Sequence, residues 1–189
     1  MRADEIKIVE VEKGSPKKQG FINLYKEVFA GAPYFESYTD EYVEREVWNK
    51  HLEHNGWIFL ALAHDESVVG FGCALPAEKS WESGRFLHEN MSKLPFELET
   101  ACYMSEIGVH ADYRKKGIGT GLIRARINVA KEKGFKTYVM RTALEGSNSK
   151  NMYLSFGAKI IDGLVQDVSE HAKEVSSKSE FRMYLYGNC

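Results

Sequence analysis

Ser105-Glu106-Ile107-Gly108-Val109-His110-Ala111-Asp112-Tyr113-Arg114-Lys115-Lys116-Gly117-Ile118-Gly119-Thr120-Gly121-Leu122 couples an apolar strand ending at Val109 to a basic, glycine-rich turn that opens into an amphipathic helix. A strand, turn and helix in this order bind anions. Gly117 and Gly119 carry no Cβ, so backbone N–H groups can converge there on phosphate oxygens at the positive end of the helix dipole. Arg114, Lys115 and Lys116 add mobile positive charge. Two commoner phosphate-binding patterns do not fit. Counting from Gly117, a dinucleotide fingerprint needs glycine or alanine at 122, where Leu122 stands, and no lysine followed by serine or threonine closes a nucleoside-triphosphate loop. A basic helix start with glycines for a tight turn is the plainer account, yet a plain turn rarely needs two glycines, three cations and a preceding apolar strand together.

The chain around this stretch has 189 residues, which suits one domain, 1–189, with a substantial core. Apolar residues make up 43% and charged residues 28%, ordinary values for a globular protein. A net charge of −2 argues against nucleic acid as a partner, because phosphate-backbone affinity needs Lys and Arg in clustered excess. Cys73, Cys102 and Cys189 have no metal-ligand spacing, and an odd number closes no disulfide framework, so they read as reduced thiols, with Cys73 and Cys102 as small core residues. The six histidines do not cluster at ligand spacing, and no metal is expected. With no charged-then-apolar leader and no apolar run of about 18 residues, the expectation is a soluble, cytoplasmic protein with no membrane partner.

In chain order, Ile6 to Val11 reads as a strand and Lys17 to Ala30 as a helix, its apolar stripe being Phe21, Leu24, Tyr25, Val28 and Phe29. An aromatic loop, Tyr34 to Tyr38, precedes a second helix capped at Thr39, with Val43, Val47, Trp48 and Leu52 facing inward and an acidic outer face. Trp57 to Ala63 and Val68 to Leu75 form an antiparallel pair in which Gly70 and Gly72 mark a bulge. Pro76 to Leu98 reads as a loop with a short helix. Glu99 to Val109 is a single strand feeding the anion turn. The helix from Gly117 to Lys133 has Ile118, Leu122, Ala125 and Val129 as its core stripe and Gly134 as its C-cap. Thr137 to Thr142 is the next strand, and strand, helix, strand at this spacing implies a parallel pair with a right-handed crossover. A helix from Ser147 to Phe156, a strand from Ala158 to Val165, a polar loop or extra helix from Gln166 to Glu180 and a strand from Phe181 to Tyr186 complete the chain. The last strand alternates Phe181, Met183 and Leu185 with Arg182, Tyr184 and Tyr186, open to pairing or packing against a second subunit in a homodimer, with an exposed strand in a monomer as the alternative. The fold class is mixed α/β, a mostly antiparallel sheet with one parallel crossover pair, flanked by helices.

Arg114-x-x-Gly117-x-Gly119 after Val109-His110-x-x-Tyr113 resembles the acetyl-CoA pyrophosphate motif of the GNAT N-acetyltransferase superfamily. The order of elements is similar to that family's fold over nearly the whole chain, while the specific motifs lie between about residues 104 and 158. Asn148 to Ala158 resembles the family's Asn…Tyr-x-x-x-Gly segment through Tyr153 and Gly157, with Asn151 as the alternative to Asn148 for the family asparagine. The resemblance implies that acetyl-CoA is the co-substrate, that the N–H groups of Lys115, Lys116, Gly117, Ile118, Gly119 and Thr120 hold its pyrophosphate, and that Ile107, Gly108 and Val109 hold the thioester and pantetheine arm like a partner strand. It also implies a ternary complex with direct attack and a tyrosine beside the coenzyme's sulfur.

Acetyl transfer to an amine sets two chemical demands. An alkyl-ammonium of pKa about 10.4 must lose a proton before its nitrogen attacks, and a departing thiolate, its thiol near about 8.5, needs a proton donor. Tyr153 is the candidate general acid. Glu106 is the candidate base, directly or through a water, set against a structural carboxylate that only accepts backbone hydrogen bonds. His110 titrates in the right range but reads as a solvated turn residue. For the acceptor, Phe29, Tyr34, Phe35 and Tyr38 line a candidate pocket, with the acidic second helix beside them to attract a cation. A small-molecule amine is the expected acceptor, a protein N-terminus or lysine the alternative, and a non-catalytic acetyl-CoA-binding regulatory module the competing class.

Overall fold

Trp57 to Leu62 is apolar at every position because both of its faces are covered. In the computed structural model, which describes residues 6–175, 177 and 180–189, this strand is β2, with Trp57, Phe59 and Ala61 in one core and Ile58, Leu60 and Leu62 in another. The strands are β1 (Lys7–Val11), β2 (Trp57–Leu62), β3 (Val68–Pro76), β4 (Ala101–Tyr103), β5 (Ile107–Val109), β6 (Thr137–Ala143), β7 (Lys159–Asp167) and β8 (Phe181–Asn188). They form one sheet in the order β1-β2-β3-β4-β6-β8-β7, with β5 also paired to β3. The pair β4–β6 is parallel and the others are antiparallel. The crossover expected from strand, helix, strand is therefore present.

One face is covered by α5 (Ile118–Glu132) and α6 (Asn148–Ser155), the other by α1 (Lys18–Ala30) and the helical run α2 (Asp40–Tyr42), a π-helical stretch Val43–Asn49, and α3 (Lys50–Glu53). Phe21, Trp48 and Phe71 meet at its centre, Phe21 lying 5.2 Å from each of the other two rings. A third cluster, around Leu75, Leu87, Leu98 and Tyr184, packs α4 (Trp81–Glu89) against the sheet. A short α7 (Ser169–Glu174) stands where the sequence leaves a loop or an extra helix.

Three expectations are corrected. Glu99 to Val109 is not one strand: β4 pairs with β3 and β6, β5 pairs with β3 alone, and Met104 to Glu106 separate them. A continuous apolar run cannot show that its two halves have different neighbours. In α5 the buried residues are Ile118, Leu122, Ile123, Arg126 and Ala130, while Ala125 and Val129 are only half-buried. The stripe follows the four-residue step onto a charged residue instead of the apolar ones beside it. Finally, β8 is paired on both edges, by β6 and β7, so it offers no free edge to a second subunit. The bulge falls next to Gly70: Ala61 pairs with Gly70 and Leu62 with Val68, which leaves Val69 as the extra residue. Among the described residues no helix is long and apolar enough to cross a membrane.

Candidate active site

The anion turn is built by local bonds. His110 Nδ1 accepts from the Asp112 N–H at 3.2 Å, Arg114 Nε donates to the Val109 carbonyl at 3.1 Å, and Lys115 and Gly117 adopt φ of +61° and +82°. Helix α5 starts at Ile118, so its first N–H groups have no carbonyl a turn earlier to bond. From Lys116 to Thr120 no backbone N–H finds an acceptor among the described residues. Gly117 is needed for its left-handed backbone. Gly119 lets α6 pack close, since a Cβ there would stand 2.8 Å from Met152 Sδ and the Met152 side chain would have to shift. Lys116 turns away and places its ammonium 4.8 Å from the Tyr113 ring centre.

This turn is one end of a cavity of ≈ 690 Å³. Beside it runs β5, whose second edge pairs with no strand among the described residues. An extended ligand can add there as a strand does. Ile107, Gly108, Val109, Arg114, Lys115, Gly117, Ile118, Gly119 and Thr120 all line the cavity; Lys116 and Asn151 do not. Asn151 is exposed on α6, and the side chain of Asn148 lies outside the described part of the structure.

Glu106 and Tyr153 line the same cavity. Glu106 sits in the break between β4 and β5, where its own carbonyl accepts from the Cys73 N–H at 2.8 Å. Desolvation by its surroundings, helped by the nearby Glu36 carboxylate, pushes the Glu106 carboxyl up to about 7, while Arg141, Arg182 and Arg126 pull the other way. It makes no ion pair among the described residues. Tyr153 is fully buried, and burial raises its pKa while the adjoining Arg126 opposes that rise.

Arg126 is the residue that sequence reasoning missed. Fully buried on α5, its guanidinium donates to the carbonyls of Leu122, Cys73 and Glu106 at 3.2, 2.9 and 3.1 Å and to the Tyr153 hydroxyl at 2.7 Å. Space for it comes from Gly72, where a Cβ would lie 2.8 Å from Arg126 Nε. Two signals were available: the step Ile118, Leu122, Arg126, Ala130, and a glycine inside a strand, which marks close approach.

The far end of the cavity is aromatic. Phe29, Tyr34 and Tyr38 line it, with Tyr25, Tyr42 and Trp81. Phe35 lies outside the wall, its ring 44% exposed at a φ of +56°. Buried Glu36 meets Arg182 at 3.3 Å and accepts from the Tyr38 hydroxyl at 2.9 Å, while Arg182 stacks 5.1 Å from the Tyr34 ring centre. Three carboxylates of the acidic helix face are held in ion pairs: Glu44 with Lys18, Glu53 with Lys13, and Glu46 with Arg45 and Lys50. His110 faces Glu27 at 3.3 Å, outside this cavity. Among the described residues no group of three or more His, Cys, Asp or Glu could hold a metal ion.

With this geometry in place, comparison with known proteins gives a consistent answer. The sequence matches the acetyltransferase (GNAT) family model over residues 21–158. A search of curated proteins finds no significant match. In fold the chain is similar to the IAA acetyltransferase from Bacillus cereus ATCC 14579, at 17% identity and a TM-score of 0.64 over 98% of this chain and 100% of that one. It is also similar to an N-acetyltransferase from Staphylococcus aureus Mu50, at 17% identity and 0.68 over 97% and 98%. A third likeness is to the ribosomal-protein-S18-alanine N-acetyltransferase from Escherichia coli, at 11% identity and 0.66 over 97% and 94%.

Proposed function

As this chain belongs to the GNAT acetyltransferase family, whose members are acyltransferases using acetyl-CoA, we propose that it acetylates the primary amine of a small metabolite by direct attack within a ternary complex. The observation that carries the reading is that one cavity joins the anion turn, the open edge of β5, Glu106 and Tyr153. When bound, acetyl-CoA supplies a thioester carbon open to a nucleophile. The N–H groups from Gly117 to Thr120 receive its pyrophosphate, and Ile107 to Val109 receive its pantetheine arm as an added strand.

Glu106 accepts the proton lost from the amine nitrogen. A carboxyl near 7 is a far stronger base than an ordinary one of about 4.3, and yet it remains largely ionised just above neutrality. As the N–C bond forms and the C–S bond breaks, Tyr153 gives its hydroxyl proton to the departing sulfur. Its hydroxyl oxygen already accepts from Arg126, which leaves the O–H free to donate.

The aromatic end supports a cationic acceptor. Glu36 and Arg182 neutralise each other there, as do Glu46 and Lys50, so Glu106 is the carboxylate left to draw an ammonium past the tyrosines. The test is thiol release from acetyl-CoA across polyamines, amino sugars, amino acids and short peptides, with coenzyme affinity measured by titration. Turnover on one class of small amine supports the reading and names the acceptor. Turnover on peptides alone moves the substrate to a protein, and binding without any turnover leaves a regulatory module.

A further inference from the structure

Two side chains of the cavity wall take no part in that chemistry. Ser105 stands in the break between β4 and β5, next to Glu106, and His51 faces it from α3; both line the cavity. His51 is 2% exposed. Its Nδ1 is 2.6 Å from the Val47 carbonyl oxygen, at the π-helical stretch, and its Nε2 is 2.6 Å from Ser105 Oγ.

These contacts fix every proton. A carbonyl oxygen only accepts, so Nδ1 carries the hydrogen. Burial, the largest influence on the ring, lowers its pKa to about 4, so at neutral pH Nε2 is bare. The hydrogen in the Nε2 contact therefore belongs to Ser105. With its own proton committed to His51, Ser105 Oγ has only lone pairs to offer, and it has no other partner among the described residues. It is an acceptor held in one polarity, on the residue that precedes Glu106, and both residues line the cavity.

We infer that Ser105 is a positioning residue for the acceptor amine, receiving the N–H that stays on nitrogen while Glu106 takes the one that leaves. This rests on the amine-acetylation reading and deepens it. An ammonium first gives its extra proton to solvent, and the neutral primary amine that remains brings two N–H groups and a lone pair. One proton passes to Glu106 as nitrogen bonds the acyl carbon, the other remains in the amide, and the thiolate is protonated by Tyr153. A secondary amine has one N–H, which must leave, and presents carbon to Ser105 instead. The pair Ser105–His51 thus selects primary over secondary amines.

The test compares kcat and KM for the primary amine turned over fastest in the thiol-release screen and for its N-methyl derivative, with acetyl-CoA affinity as the control for folding. Wild type should prefer the primary amine by at least tenfold. Ser105→Ala should lose about tenfold in kcat/KM on the primary amine, little on the secondary one, and bind acetyl-CoA as before. His51→Phe keeps Ser105 but frees its proton, and should shrink the preference in the same way. An unchanged preference in a Ser105→Ala protein that binds acetyl-CoA overturns the inference, as does an equal loss on both amines. No turnover of any amine by wild type would overturn the amine reading, and this inference with it.

Discussion

Arg126 Nη2 donates to the Tyr153 hydroxyl at 2.7 Å at a point where neither side chain touches solvent. The same guanidinium holds the carbonyls of Cys73, on β3, and of Glu106, in the break between β4 and β5. One buried cation therefore fixes both the proposed acid and the backbone of the proposed base. Charge-assisted bonds of this kind are roughly twice as strong as neutral ones, and leaving their partners empty is costly.

Arg126→Met should lower stability by about 1–3 kcal/mol, because the buried Tyr153 hydroxyl loses the guanidinium donor and the Cys73 and Glu106 carbonyls each lose one of two donors. In denaturant unfolding the midpoint falls with m unchanged. Turnover falls further than coenzyme affinity does, since the anion turn makes no bond to Arg126. Equal losses in kcat and acetyl-CoA affinity would show that Arg126 acts on the whole fold instead.

Gly72→Ala puts a Cβ 2.8 Å from Arg126 Nε, and overpacking a filled core costs about 1–3 kcal/mol. The two changes act on one contact. In Arg126→Met the side chain is no longer tied down by hydrogen bonds and can move aside for the added Cβ, so the double variant should lose less than the sum of the singles, by at least about 0.5 kcal/mol in a double-mutant cycle. Strict additivity would sever the link between Gly72 and Arg126.

The glycine-rich turn, the parallel crossover and the helix ending at Gly157 were legible in the sequence because each rests on local signals: a glycine at positive φ at 117 and at 157, and a strand, helix, strand spacing. Arg126 was not, because an apolar stripe is traced through apolar residues and Ala125 and Val129 lay one step away. Nor were the pairs Glu36–Arg182 and His51–Ser105, which join positions 146 and 54 residues apart. Composition marks neither partner as buried. The break before Glu106 was hidden for a related reason, since β4 and β5 differ only in which strands they meet.

Glu106 gives a signed pH dependence. The base must be ionised, so kcat/KM should rise through about pH 7, and Glu106→Gln should flatten that limb and lower the rate by about 10²-fold or more. Stability moves the opposite way. The folded-state pKa lies above the unfolded value of about 4.3, so the unfolded chain sheds its proton first and this group's contribution is lost as pH rises from about 4.3 to about 7. The Gln variant should therefore gain stability relative to wild type above pH 7, although it loses activity. A limb that persists in Glu106→Gln would assign the titration elsewhere.

The glycines of the turn separate by physical role. Gly117→Ala meets no atom within 4 Å but must hold a φ of +82°, a strain of about 1–2 kcal/mol per residue that falls on the turn proposed to receive phosphate. Its effect should be a weaker affinity for acetyl-CoA with turnover at saturation little changed. Gly119→Ala instead presses on Met152 Sδ, one residue from Tyr153, so part of its effect should appear in kcat. Titration and saturation kinetics on the two variants read this split directly, and identical profiles would mean that the turn acts as one unit.

Tyr153→Phe is the sharpest probe of the proposed acid, because the ring that fills the core is kept and only the hydroxyl goes. Arg126 Nη2 then lacks its acceptor, at a cost of about 1–3 kcal/mol, small enough for the variant to be purified folded. Acetyl-CoA should bind as before, since the phosphate turn and the edge of β5 are untouched. Turnover should fall by about 10²-fold, the usual worth of a placed acid. The pH profile carries the second half of the argument. Burial raises the Tyr153 pKa, so wild type should keep its proton donor, and its rate, up to at least the ordinary tyrosine range near 10. The variant has no proton to give at any pH, so its deficit should stay constant below that range and narrow above it, where wild type loses its own proton. A deficit that is absent at neutral pH would leave Tyr153 as a packing residue held by Arg126 and return the acid role to water.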